Sequence, residues 1–128
     1  MRLYAREVLF AIERSTEQTW EDIAASLGRS GPGLLRKLRS PEPNLSSALF
    51  YKTIRAAELS FAGTTTTKEL LGKFAQARSA KGMTLEAVAE QSGRSAWTVG
   101  RILSGHQSPR LGTLLILCAV LDVPPTVS

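Results

Sequence analysis

The sequence predicts an all-α protein made of two tandem four-helix units, and two observations lead to this prediction. The stretch from Thr84 to Gly105 has the pattern of a short helix, a tight turn and a second short helix. When the sequence is shifted so that Thr19 falls on Thr84, the earlier stretch from Thr19 to Leu38 follows the same pattern. Two ordered copies of one motif in a single chain predict an internal repeat.

The first unit is predicted to cover residues 1–63 and to hold four helices. Residues 3–15 form an amphipathic pattern whose inward positions are Ala5, Val8, Leu9 and Ile12. Helices over 19–27 and 30–39 follow, because Thr19 and Ser30 are good helix caps and a proline such as Pro32 is tolerated in a first helical turn. An apolar pattern over 44–59 predicts the fourth helix.

The second unit is predicted to cover residues 64–128. A short polar joint at Gly63 and Thr64–Thr67 separates it from the first unit. Thr66 with Glu69 three residues later has the form of a capping box, in which the two side chains satisfy free backbone donors at a helix start. The predicted helices of this unit span residues 66–80, 84–91, 95–103 and 110–121.

The stretch from Thr84 to Gly105 defines the central motif. Thr84 can cap the first of its helices with its hydroxyl, and the inward positions at i, i+3 and i+4 spacing are Leu85, Val88 and Ala89. Gly93 suits the left-handed conformation that ends a helix, and Ser95 can cap the next one. The second helix therefore begins almost immediately after the first ends.

This second helix has two distinct faces. Helical spacing predicts a buried face that consists of Val99, Ile102 and Leu103. The opposite face consists of Trp97, Gly100, Arg101 and Ser104. A helix, a short turn and an outward-facing second helix form the geometry that places a helix in the DNA major groove.

The motif resembles the helix-turn-helix of the Cro and phage-repressor family, also described as XRE-type. The matching positions are Thr84, Glu86, Val88, Ala89, Gly93, Ser95, Val99, Ile102 and Gly105. The resemblance extends upstream to Leu71, Phe74, Ala77 and Arg78, and downstream to Pro109 and the apolar run from Leu111 to Leu121. It implies a repressor-like, sequence-selective transcriptional regulator of bacterial, phage or mobile-element type.

The repeat places residues of the first unit on this motif. The offset that pairs Thr19 with Thr84 also pairs Gly28 with Gly93 and Ser30 with Ser95. One inserted residue then lengthens the offset by one, which pairs Pro43 with Pro109, Leu49 with Leu115, Phe50 with Ile116 and Ile54 with Val120. Each unit is accordingly predicted to be a repressor-like helix-turn-helix domain, the first of them degenerate.

Composition limits the function classes. The formal charge of +5 and the pI near 9.9 fit an anionic partner such as nucleic acid. The lone Cys118 lies in an apolar helix pattern, so no disulfide framework and no zinc site is predicted. No apolar run approaches the length of a membrane span, and charges interrupt the segment from Met1 to Ser15, so no signal peptide is predicted. We expect a soluble cytoplasmic, nucleoid-associated protein.

The resemblance assigns reading positions to the second motif helix. The residues expected to contact base edges are Ala96, Trp97, Thr98 and Arg101. Arginine can contact guanine with two hydrogen bonds, and threonine can donate or accept one. The residues placed for phosphate contact are Arg94, His106 and Arg110, and such contacts supply affinity rather than sequence choice. For Arg94 and Arg110 the alternative is a solvated surface charge. Trp97 has an alternative interpretation as a packing residue or a protein-interface anchor.

The first copy departs further from the family. The segment Gly31-Pro32-Gly33 occupies the first turn of its presumed reading helix. Arg36, which corresponds to Arg101, is its candidate base-reading residue. The surrounding basic residues Arg29, Lys37 and Arg39 favour phosphate contact over base readout. A purely structural copy with a solvated basic face is the alternative.

Both copies lack a glutamine that the family often carries directly after the first cap, and Trp20 and Leu85 stand there instead. Either the DNA contact is rearranged, or a surface has turned toward a protein partner, for which exposed Trp20 and Trp97 would serve as anchors. The second hypothesis is therefore a protein-binding antiactivator or adaptor that grips another regulator. A third, an antitoxin, would need a masking tail, and none is visible after Pro125.

No catalytic constellation is visible in the sequence. It contains one histidine, no phosphate-cradling glycine motif and no nucleophile with a matched base, so we expect no enzyme activity, no metal and no cofactor. The expected partner is double-stranded DNA. The two units would either read one asymmetric site from one chain or act within a homodimer on a longer palindrome, with half-sites about 34 Å apart.

Overall fold

The computed structural model describes residues 2–39 and 45–128. Within these ranges the chain forms eight α-helices and no β-strand, so the predicted all-α class is confirmed for this part of the chain. The first half holds α1 (Arg2–Ser15), α2 (Trp20–Ser26), α3 (Gly31–Arg39) and α4 (Ser47–Ala56). The second half holds α5 (Thr67–Lys81), α6 (Leu85–Ser92), α7 (Ala96–Leu103) and α8 (Leu111–Leu121).

The inward face predicted for α1 is confirmed where its side chains are described. Val8, Leu9 and Ile12 are all buried. The predicted inward position of Ala5 falls outside the described side chains. Helix α1 therefore joins the core through one apolar stripe, as its spacing predicts.

The turns between α2 and α3 and between α6 and α7 are built in the same way. Gly28 and Gly93 both have a left-handed backbone, with φ of 68° and 71°, and glycine adopts this conformation without a Cβ clash. The next backbone N–H in each turn donates to a carbonyl five residues earlier, from Arg29 to Ala24 at 2.8 Å and from Arg94 to Ala89 at 3.1 Å. The offset that pairs Gly28 with Gly93 also pairs the donors and the acceptors of these two bonds.

The offset, which is the number of positions between corresponding residues of the two halves, changes at the fourth helix. The sequence predicted that the offset becomes longer there, and this prediction is wrong. The N-cap residues of α4 and α8 are Ser46 and Arg110, a pairing whose offset is one residue shorter than that of the two turns. The helix ends agree with this shorter offset: the N–H of Leu59 donates to Ile54 and that of Val123 to Cys118, both at 2.9 Å.

The offset becomes shorter because α3 has nine residues and α7 has eight. Ile54 therefore corresponds to Cys118. The sequence had predicted that it corresponds to Val120. The predicted pairing of Pro43 with Pro109 involves a residue outside the described ranges.

Buried apolar side chains from both halves form one continuous core. The two halves share a pattern of helix contacts: α2 packs on α3 and α4, and α6 packs on α7 and α8. Contacts also cross between the halves, from α1 to α8, from α5 to α4 and between α4 and α8. The predicted domain boundary at residues 63 and 64 stays a prediction.

An aromatic cluster fills the core near the junction of the halves. The rings of Phe50, Tyr51 and Phe61 meet edge to face, with centroids 5.0 to 6.4 Å apart. The Tyr51 hydroxyl lies 2.7 Å from the Thr64 hydroxyl, which itself donates to the Phe61 carbonyl. Burial raises the pKa of Tyr51 to about 12. None of the described helices combines the length and apolar character of a membrane span.

Candidate nucleic-acid interface

The position of α7 is set by its N-terminal cap and by its buried face. The Ser95 hydroxyl accepts a hydrogen bond from the backbone N–H of Thr98 at 3.1 Å, which satisfies a free donor of the first turn. Val99 and Ile102 are buried in the core, as their spacing predicts. The remaining side of α7 is thereby left at the surface.

Trp97 and Arg101 form a stacked pair on this outer side. Trp97 is 70% exposed, and the guanidinium carbon of Arg101 lies 5.0 Å from the centre of its ring. An arginine over an indole face is attracted by the ring quadrupole. Arg101 also donates from Nη2 to the backbone carbonyl of His106 at 3.2 Å. The guanidinium is therefore held in place at the end of α7 in the free protein.

The other two predicted base-reading residues of α7 are less accessible. Ala96 is half-buried and packs against the core. Thr98 is also half-buried, and its hydroxyl accepts a hydrogen bond from the Ser95 hydroxyl at 2.9 Å. Of the four predicted positions on this helix, Trp97 projects furthest into solvent and Arg101 lies against it.

The predicted phosphate contacts flank α7 at both ends. Arg94 precedes it and is half-buried. His106 follows it and is exposed, with Nδ1 2.7 Å from the Ser104 hydroxyl. Arg110 is an exposed residue at the N-cap position of α8. In the chain these residues therefore precede and follow α7.

Two predicted surface residues are partly covered. Gly100 is assigned to the outer face by its spacing, yet a Cβ built there would lie 3.6 Å from Leu85 Cδ1 of α6, so this position faces α6. Trp20 is half-buried rather than exposed, because its ring packs on the core while its indole N–H donates to the Glu13 carboxylate at 2.9 Å. The expectation of an exposed Trp20 anchor is wrong.

The first half does form a helix through Gly31-Pro32-Gly33. Gly31 is buried, and a Cβ added there would meet Glu21 of α2 at 3.4 Å, so the glycine allows close approach of α2 and α3. The four basic residues of the first half that are predicted to contact DNA are all exposed, and they are Arg29, Arg36, Lys37 and Arg39. Three of them, Arg29, Arg36 and Lys37, line one shallow groove of about 360 Å³.

Sequence reasoning missed one exposed aromatic residue, Phe10. Its side chain is 58% exposed on α1, whereas its neighbours Val8, Leu9 and Ile12 are buried. Helical spacing contains the signal, because a residue two positions from both Val8 and Ile12 lies off their common face. Phe10 also lines a shallow groove with Glu7, Glu13 and Arg14.

The described residues contain no group of three or more side chains of the metal-binding types. Cys118 is a free, buried thiol, and burial raises its pKa to about 12, so it is neutral near pH 7. Hydrogen bonds lower the pKa of Glu69, which accepts from the backbone and side chain of Thr65 at the start of α5. These groups serve packing and capping.

Residues 69–127 match a protein-family model described as a helix-turn-helix domain. The matched range begins within α5 and includes α6, α7 and α8. This match confirms the helix-turn-helix assignment of the second half. A helix-turn-helix domain of this kind is typical of DNA-binding regulators and is not typical of enzymes. Neither a curated protein nor a solved structure matches the chain.

Proposed function

We propose that this protein is a sequence-selective DNA-binding transcriptional regulator of the repressor-like type, with α7 as its main reading helix. The outward Trp97–Arg101 pair carries this proposal. It lies on the second helix of the matched helix-turn-helix, where side chains of such helices reach base edges. Arginine is the most common residue in specific contacts with guanine in the major groove.

Arg101 is the base-reading residue in this proposal, and Trp97 orients it. The stacking contact and the bond to the His106 carbonyl restrict the guanidinium before DNA arrives. Less side-chain entropy is then lost on binding, because the side chain is already close to one arrangement. Ala96 and Thr98 border the same surface and would contribute contacts of shorter reach.

The phosphate contacts come from side chains of both copies. Arg94, His106 and Arg110 flank α7, and the exposed basic surface of the first copy adds Arg29, Lys37 and Arg39, with Arg36 as its reading residue. We also propose that the two halves, residues 1–63 and 64–128, are two tandem copies of one domain. The matching capped turns at Gly28 and Gly93 support this proposal.

A salt titration tests the electrostatic part of the proposal. We expect binding of a labelled random-sequence duplex, followed by fluorescence anisotropy, to weaken steeply from about 50 to 200 mM salt. If the five arginines and lysines assigned to phosphate all make contact, the loss is roughly 500-fold over this range. Arg110→Ala should lower the slope by about one on every sequence. No binding at the lowest salt would refute the DNA-binding proposal.

Base readout is tested on a selected duplex. Arg101→Ala should cost about 1–3 kcal/mol and relax discrimination at one base position, whereas Arg110→Ala should weaken all sequences equally. Lys52→Ala removes one exposed charge from α4 and serves as the matched control. Equal losses from Arg101→Ala and Arg110→Ala on every sequence would remove the base-reading role.

The 70% exposure of Trp97 also supports a second candidate function, a protein-binding antiactivator or adaptor. Tryptophan is enriched among the residues that dominate protein interfaces. In that case Trp97→Ala would abolish binding to another regulator, and the interaction would respond weakly to salt. A steep salt dependence of duplex binding, with base discrimination lost in Arg101→Ala, favours the DNA reader instead.

A further inference from the structure

We infer that the chain is an internal pseudo-twofold dimer, so that its two helix-turn-helix units read two unlike half-sites in inverted orientation. The inference rests on the proposed DNA-binding function for its target, and on backbone pairing between the two halves for its geometry. It decides between the arrangements open to a tandem protein, which are a head-to-tail pair, an inverted pair, and a unit that needs a second chain.

The first observation is a reciprocal pair of hydrogen bonds before α4 and α8. The N–H of Leu111 donates to the carbonyl of Leu45 at 2.7 Å, and the N–H of Ser47 donates to the carbonyl of Pro109 at 3.0 Å. At the offset that pairs the N-caps of α4 and α8, Ser47 corresponds to Leu111 and Leu45 to Pro109. The two hydrogen bonds are therefore equivalent. In each, the residue after the N-cap of one half donates to the residue before the N-cap of the other half.

The centre of this pairing is a pair of equivalent residues. Ser46 and Arg110 lie opposite each other in an antiparallel bridge, and they are the N-cap residues of α4 and α8. In a twofold arrangement, residue i of one copy contacts j of the other, and j contacts i, so the axis passes between equivalent residues. Ser46 and Arg110 occupy this position.

A second antiparallel pairing also joins the two halves. Ser60 and Ser128 exchange N–H···O bonds at 2.8 and 3.1 Å, and the N–H of Ala62 donates to Thr126 at 2.7 Å. Ala62 and Thr126 are separated by the same number of positions as Ser46 and Arg110, so this pairing also contains a pair of equivalent positions. Ser60 and Ser128 are not equivalent positions, so this pairing adds one pair of equivalent residues, Ala62 and Thr126, to the reciprocal pairing at Ser46 and Arg110.

The helix contacts between the halves are exchanged in the same way. Helix α1 contacts α8, and its counterpart α5 contacts α4, which is the counterpart of α8. Helices α4 and α8 also contact each other. A head-to-tail tandem would bring two different surfaces together, whereas here each contact has its reciprocal.

Inversion has a direct consequence for the target. The reading helices α3 and α7 are related by the same pseudo-twofold, so they meet the duplex in opposite orientations, as the two subunits of a symmetric helix-turn-helix dimer do. The half-sites are unlike because the outer residues differ: Pro32 corresponds to Trp97 and Gly33 to Thr98, while Arg36 and Arg101 are both arginines. The target is an asymmetric, approximately palindromic site covered by one chain.

Selection of sites from random duplex DNA by the full chain tests the inference. We expect an enriched site of two related but unlike half-sites in inverted orientation, bound by one chain per duplex. On that site, Arg101→Ala should lose about 5- to 150-fold discrimination at one base in one half-site, and Arg36→Ala at one base in the other. The Lys52→Ala variant should keep both preferences.

Enriched direct repeats, effects of both arginine variants in the same half-site, or two chains per duplex would overturn the inference while leaving DNA binding intact. Failure to bind any duplex at low salt would instead overturn the DNA-binding function. A measurement without DNA tests the contact between the two halves directly. The hydroxyls of Ser60 and Ser128 lie 3.1 Å apart, so the double variant Ser60→Cys, Ser128→Cys should form an intramolecular disulfide.

The disulfide test has internal controls. The single variants Ser60→Cys and Ser128→Cys gain no accessible thiol partner within the chain, since Cys118 is buried, and should remain unbridged. A bridged monomer of the double variant supports the pairing of the two halves. Failure to bridge under oxidising conditions, with the helical content unchanged, overturns the pairing and with it the pseudo-twofold.

Discussion

Two glycines of the helix-turn-helix should respond to alanine substitution with opposite signs. Gly93 ends α6 with φ of 71° and ψ of 22°, a left-handed conformation that costs an alanine roughly 1–2 kcal/mol. Gly100 lies inside α7, where a glycine costs about 0.5–1 kcal/mol relative to alanine. A Cβ at Gly100 would lie 3.6 Å from Leu85 Cδ1, which is an ordinary van der Waals contact.

We therefore expect Gly93→Ala to destabilise the chain by about 1–2 kcal/mol and Gly100→Ala to stabilise it by about 0.5–1 kcal/mol. Urea unfolding followed by circular dichroism measures both, with the midpoint changed and the slope unchanged. Gly72→Ala in α5, where the added Cβ meets nothing within 4 Å beyond its chain neighbours and the local helix backbone, is the matched control and should also stabilise. A loss of stability in Gly100→Ala comparable to that in Gly93→Ala would refute the packing of Leu85 against Gly100.

Three further predictions concern groups outside the reading helices. Tyr51→Phe should lower the free energy of unfolding by about 0.5–1.5 kcal/mol, because it removes the hydrogen bond that the Tyr51 hydroxyl donates to Thr64, whose own hydroxyl donates to Phe61. The free-energy losses of Tyr51→Phe and Thr64→Val should not add in the double variant. The Cys118 thiol should resist a thiol reagent in the native protein and react in denaturant, because burial raises its pKa to about 12; rapid native labelling would contradict its burial. Hydrogen bonds from Thr65 lower the pKa of Glu69, so its contribution to stability is present above the unfolded pKa of about 4.3 and is lost as pH falls through the lower folded value. Glu69→Gln should flatten the stability-against-pH curve in that acid range, and an unchanged curve would exclude this cap as its cause.

Local sequence signals predicted the helices well because the forces that start and stop a helix act over a few residues. Thr84 and Ser95 both cap as predicted, each accepting a hydrogen bond from the backbone N–H three residues later. Gly93 adopts the left-handed conformation that its position required. These capping and turn effects depend on neighbours in the chain, so one sequence is enough to find them.

The sequence did not predict which residues of α4 and α8 correspond to each other. Large apolar residues occur throughout both helices, so the predicted and the observed offsets both bring apolar residues together. The structure distinguishes them by the caps at Ser46 and Arg110, which are set by contact between the two halves. That contact joins residues far apart in the chain, and periodicity within a short window contains no signal for it.

The sequence also did not predict how exposed each tryptophan is. Trp20 and Trp97 occupy early positions in α2 and α7, yet one is half-buried and the other is 70% exposed. Trp20 is covered because it packs on the core, and α1 supplies Glu13 as a partner for its indole N–H. The Trp97 ring instead contacts Arg101 of its own helix. Tertiary contacts of this kind decide exposure.

Leu85 bears on how Arg101, the proposed base-reading residue, is oriented. A polar residue at this position of α6 could brace a neighbour on α7 by a hydrogen bond, which a leucine cannot do. Leu85 instead lies next to Gly100 of α7, where an added Cβ would be 3.6 Å from Leu85 Cδ1. The orientation of Arg101 is then supplied within α7 and the turn after it, by the Trp97 ring and the His106 carbonyl. In the proposed function, the contacts that orient Arg101 therefore lie within α7 and the turn after it, and Trp97 supports base reading by holding the guanidinium.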